Sequence, residues 1–88
     1  MKRNPDFLLR DVAGTKVIVP LGNAVTEFPG MITVNDTGAF LWELMETEQT
    51  LNALVAAMLE RYEVAQEQAR ADVEAFLAEL RPTGAVIG

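Results

Sequence analysis

The sequence predicts a small α+β domain of winged-helix-like plan, an antiparallel β-sheet of about three strands followed by three α-helices packed on one of its faces. Three observations predict it. The chain has 88 residues, half of them hydrophobic, which suits a single domain over residues 1–88 with one core. Runs rich in β-branched residues and broken by Gly and Pro fill the first third. Segments of helical periodicity fill the remainder.

Taken in order, Phe7 to Val12 is an apolar, partly alternating run, Ala13-Gly14-Thr15 is a turn, and Lys16 to Val19 is β-branched, so the three read as a hairpin. Pro20, Gly22 and Asn23 end the second strand. Val25 to Phe28 is expected to form a further short strand, Pro29-Gly30 a turn, and Met31 to Val34 the last strand. Asn35 is a good helix N-cap, with Asp36 placed where a negative charge suits the dipole. The first helix should run to about Glu46, with Phe40, Leu41, Leu44 and Met45 on its apolar side. Thr50 should cap the second, whose stripe is Leu51, Leu54, Val55, Met58, Leu59 and Tyr62. The third begins near Gln66, carries Ala69, Val73, Phe76, Leu77 and Leu80, and stops at Pro82 and Gly84. Ala85 to Ile87 is an apolar tail expected to pack against the sheet.

Composition excludes whole classes of chemistry. The sequence contains no cysteine, histidine or serine, so nucleophilic catalysis by a thiol or serine hydroxyl and the usual imidazole base are closed. Zinc, iron–sulfur and haem sites lose their commonest ligands, and a phosphopantetheine carrier lacks its serine. No cofactor, no metal and no catalytic residue are expected. The net charge of −6 repels phosphate backbones and anionic lipid, so neither nucleic acid nor a membrane is an expected partner. Met1 to Phe7 is charged and polar rather than a signal peptide, and no apolar run approaches the ~20 residues that span a bilayer, so a cytoplasmic location is expected.

The acidic residues of the third helix are Glu67, Asp72, Glu74 and Glu79. Asp72 and Glu79 are seven apart on one face, which allows a carboxylate pair, but a solvated helix face is the preferred reading. Against these acids the same helix has only Arg70 and Arg81, the wrong balance for a helix that reads DNA. Trp42 lies off the main stripe of its helix, with core or boundary packing preferred over an exposed interface position. The strand Met31 to Val34 leads directly into a capped helix, so one of its edges can be unpaired and accept an extended peptide. An ordinary strand, covered by the tail or by a second copy of the chain, is the reading composition alone prefers.

The run Met31-Ile32-Thr33-Val34-Asn35-Asp36-Thr37-Gly38-Ala39-Phe40-Leu41-Trp42-Glu43-Leu44 resembles the strand-to-helix signature of the PqqD family, the coenzyme PQQ synthesis protein D-like peptide chaperones also called RiPP recognition elements. Thr50 to Tyr62 is similar to that family's middle helix, and Ala71-Asp72-Val73-Glu74-Ala75-Phe76-Leu77-Ala78-Glu79-Leu80 to its last, so the resemblance covers essentially the whole chain. It implies a three-stranded sheet with three helices. It implies a non-enzymatic protein that binds the leader of a ribosomally made precursor peptide and presents it to a modifying enzyme, often of the radical-SAM type, in PQQ or other peptide biosynthesis. It further implies that the leader adds as a strand beside Met31, Ile32, Thr33 and Val34, in a groove bordered by the third helix.

Carried onto this sequence, the groove wall would draw on Arg70, Val73, Leu77, Leu80 and Arg81, with the two arginines meeting leader carboxylates. Core packing is the alternative for Val73, Leu77 and Leu80, and the preferred one for each taken singly. The chain departs from the family pattern at Ala65, where a polar helix cap is usual, and in the long loop Gly22 to Gly30. The alternatives to peptide binding are a winged-helix transcription regulator and a structural module that forms a homodimer through the strand edge.

Overall fold

The structure, a computed structural model, describes residues Met1–Gly88. Strand β1 (Lys2–Arg3) is followed by β2 (Phe7–Val12) and β3 (Thr15–Pro20), which form the expected hairpin, paired from Phe7 opposite Pro20 to Val12 opposite Thr15. Its two-residue turn puts both Ala13 (φ 54°) and Gly14 (φ 86°) in the left-handed region, as a primed turn requires. The Asp11 carboxylate accepts a 2.8 Å bond from the Gly14 N–H and holds the turn closed.

The expected strand Val25 to Phe28 is instead one helical turn, α1 (Ala24–Glu27). No strand of the sheet takes it up, and β3 has both sides filled. It pairs with β2 on one edge and with β4 (Ile32–Val34) on the other, in the order β2-β3-β4. The intervening chain therefore satisfies its backbone locally, with Val25 N–H bonded to Gly22 O at 3.2 Å and Phe28 N–H to Ala24 O at 2.9 Å. Ala24 drops into the core, and the Phe28 ring lies 6.5 Å from that of Phe7.

Three helices follow, α2 (Asp36–Leu44), α3 (Leu51–Arg61) and α4 (Gln66–Leu80). Asn35 caps α2 by accepting from Gly38 N–H at 2.8 Å, and Thr50 caps α3 by accepting from Ala53 N–H at 3.0 Å. Ala65 provides no side-chain cap for α4. The core is a single cluster that takes Ile18 and Ile32 from the sheet, Leu54, Val55 and Met58 from α3, and Ala69, Val73, Leu77 and Leu80 from α4. Trp42 is 1% exposed and belongs to the same cluster, which settles its role as packing.

The tail behaves differently from expectation. Val86–Ile87 (β5) pairs with β1 as a separate two-stranded ribbon, Lys2 opposite Ile87 and Arg3 opposite Val86. Ala85 and Val86 are buried, and Asn4 N–H donates to Ala85 O at 2.8 Å. The tail thus pairs with β1 and leaves the edge of β4 open. No helix is long and apolar enough to cross a membrane.

Candidate functional site

β4 is short because its ladder begins only at Ile18 opposite Ile32 and ends at Lys16 opposite Val34, where Asn35 turns the chain into α2. Met31 precedes the ladder and is 62% exposed, Ile32 is buried, Thr33 is exposed and Val34 is half-buried. The sheet pairs β4 on one side only. No backbone bond outside the sheet ladder involves residues 31–34, so the other edge keeps its amides and carbonyls free.

That free edge opens onto a groove of about 270 Å³. Thr33 and Val34 form one side, and Asn35, Thr37, Gly38 and Leu41 of the α2 entry form its floor. The opposite wall is α4, through Asp72, Ala75, Phe76 and Glu79. The floor is low because Gly38 has no side chain. A Cβ there would stand 3.0 Å from Phe76 Cε1 and 3.2 Å from Val34 Cβ, which is what lets α4 approach β4 so closely.

The sequence-predicted wall residues fall on other faces of the helix. Val73, Leu77 and Leu80 are 0%, 5% and 0% exposed and lie in the core. A helix turns 100° per residue, so Arg70 projects about 160° around the axis from Asp72, away from the groove. There its guanidinium meets Asn52 of α3 at 3.2 Å and Glu74 at 3.3 Å. Arg81 is exposed in the 3₁₀ turn Arg81–Thr83 beyond the helix, also outside the groove lining. Of the predicted residues, the structure brings together Thr33 and Val34, and the wall that faces them was read in the sequence as a solvated acidic face. Phe76, read in the sequence as part of the apolar stripe of α4, is the half-buried member that reaches this wall.

Electrostatically the groove is one-sided. Asp72 and Glu79 are both exposed, and neither has a salt bridge, since the ion pairs join the N-terminal amine to Glu48, Lys16 to Asp36, and Arg70 to Glu74. Asp72 accepts only an amide bond from Gln68, at 2.7 Å. Seven residues of helix separate the two carboxylates by about 10 Å, too far to share a proton. No set of three acidic, histidine or cysteine side chains gathers to hold a metal. What the arrangement can do is pair backbone along an open edge and contact side chains on Phe76 and its acidic flanks.

A second cleft, of about 660 Å³, lies beside the free edge of β2, between Phe7 to Leu9, the β1 segment and Trp42, Glu43 and Glu46 of α2 and its C-terminal side.

The sequence model of the family described as Coenzyme PQQ synthesis protein D (PqqD) matches residues 16–86. That stretch contains every residue that lines the β4 groove and excludes Lys2, Arg3, Pro5, Phe7, Leu8 and Leu9, most of the lining of the β2 cleft. Among solved structures, the chain superposes on "TbiB1 in Complex with the TbiA(beta) Leader Peptide" with a TM-score of 0.77 at 19% identity, covering 100% of this chain and 96% of that one. It superposes on "Lasso peptide synthetase B1 complexed with the leader peptide" with a TM-score of 0.74 at 16% identity, covering 99% and 96%. At these identities the likeness is one of fold. No curated protein matches the sequence.

Proposed function

The chain belongs to the PqqD family, and from that membership we propose that it is a RiPP recognition element, a peptide chaperone that binds the leader of a ribosomally made precursor peptide by β-strand addition. The observation that carries the reading is the free edge of β4 opening onto a groove walled by α4, within the stretch the family model covers. Two structures of the same fold hold leader peptides, which supports a peptide as the partner.

The proposed mechanism is positional. Backbone bonds to β4 hold the leader in register, and side chains that alternate to one face reach Val34 and Phe76. The held leader raises the effective concentration of the attached core peptide at a modifying enzyme, of the radical-SAM or another type. In this role the residues 1–88 act as one recognition unit and break no bond themselves.

The test is an NMR titration of the isotopically labelled chain with precursor peptides encoded near its gene. Saturable shifts confined to residues 31–35, Gly38 and the Asp72–Glu79 face of α4 are expected. Shifts confined to the β2 cleft, or affinity for promoter DNA in place of any peptide, would overturn it.

A further inference from the structure

The groove beside β4 combines an apolar centre with uncompensated negative charge. Phe76 and Val34 supply the centre, and Asp72 and Glu79 flank Phe76 along α4 with no cation paired to either. No cation lines the groove. Arg70 is held by Glu74 and Asn52 on another face, Arg81 is outside the lining, and Lys16 lies opposite Val34 with its ammonium 3.1 Å from Asp36. The net charge of −6 adds a field of the same sign.

Resting on the strand-addition reading above, we infer that the occupant of this groove is a basic peptide, with an apolar side chain seated on Phe76 and Lys or Arg two residues to either side of it. For an added strand that runs along α4, the spacing follows from the two periodicities that meet there. Side chains on one face of an added strand recur about every 6.6 Å. On α4, Asp72 lies about 6 Å before Phe76 and Glu79 about 4.5 Å after it. The flexible stem of Lys or Arg spans the difference and rests its methylenes on Phe76. An acidic segment in the same register sets like charges opposite one another. The groove therefore selects against leader carboxylates, opposite to the pairing that Arg70 and Arg81 suggest in the sequence alone.

The experiment is selection of a randomised peptide library, about a dozen residues long, on the immobilised 88-residue chain, followed by NMR mapping and affinity measurement of the selected peptides. The expected result is enrichment of Lys or Arg two positions from an apolar residue, with shifts on β4 and α4. Changing both basic positions to Gln should weaken binding about three- to ten-fold, the range two partly exposed ion pairs supply. The double variant D72N/E79Q should lose that preference, while E60Q/E63Q, which removes the same charge from exposed positions on and just beyond α3, should keep it. Peptides that map to β4 without a basic preference, or an equal effect of the two double variants, would sink the charge inference and leave strand addition standing. Selected peptides that map away from β4 would overturn strand addition itself.

Discussion

Gly38 and Phe76 meet across the floor of the groove, where a Cβ on Gly38 would stand 3.0 Å from the Phe76 ring. The same Cβ would lie 3.2 Å from Val34 Cβ, which the backbone of β4 holds in place. Only the half-buried ring can yield, and it yields outward, into the groove. Gly38→Ala should gain up to about 1 kcal/mol of helix propensity and lose a similar amount in crowding, so stability should change little. Affinity for a groove-binding peptide should fall about ten-fold, or about 1.4 kcal/mol. Urea denaturation beside a peptide titration checks the pair, and a stable variant with unchanged affinity would refute the role of the glycine.

Leu77 and Phe76 are neighbours in sequence with opposite duties. Leu77 is 5% exposed in the core, so Leu77→Ala should cost about 2–5 kcal/mol, a large share of the ~5–15 kcal/mol a domain of this kind has. Leu77→Met, which conserves volume, should fold and bind peptide within about two-fold of the parent. Phe76→Ala should fold and lose most of its peptide affinity. Circular dichroism melts and titrations of these variants separate core from groove, and a peptide-blind Leu77→Met would place Leu77 in the binding surface after all.

Arg70 is turned to α3 and Glu74, not to β4. Arg70→Gln should therefore leave peptide affinity within about two-fold and alter stability by no more than about 0.5 kcal/mol, as exposed pairs do. A loss of affinity comparable to that of Phe76→Ala would place the Arg70 face of α4 in the binding surface.

Lys16 titrates above the ordinary lysine value of 10.5, chiefly because its ammonium donates to the Asp36 carboxylate and secondly because that carboxylate is negative. A raised folded-state value means that the contribution to stability is complete below the unfolded value and is lost as pH climbs through the raised one. The link between β3 and the first turn of α2 should thus be intact at neutral pH and released only in the alkaline range above 10.5. Melting curves of the parent and Lys16→Gln across that range should converge at the highest pH, and parallel curves would show that the contact contributes nothing.

Much of this protein was legible in its sequence. The β2–β3 hairpin, the caps Asn35 and Thr50, and most of the stripes of α3 and α4 follow from turn chemistry and periodicity, which are properties of a few adjacent residues. So does the family resemblance, which rests on the run from Met31 to Leu44 and on the last helix. Leu59, placed in the α3 stripe, is instead 38% exposed. The sequence also shows that no site in the chain can use a histidine, cysteine or serine side chain. The tertiary structure alone decided the rest. Val25 to Phe28 closed into a helical turn with local backbone bonds instead of joining the sheet, and Val86–Ile87 paired with β1, leaving β4 open. It also decided which side of α4 faces that edge. A helix presents an apolar stripe and several polar faces, and periodicity finds the stripe but cannot rank the faces. Packing Val73, Leu77 and Leu80 into the core turned Asp72, Phe76 and Glu79 toward β4 and Arg70 away, because one rotation of a rigid helix places every face at once.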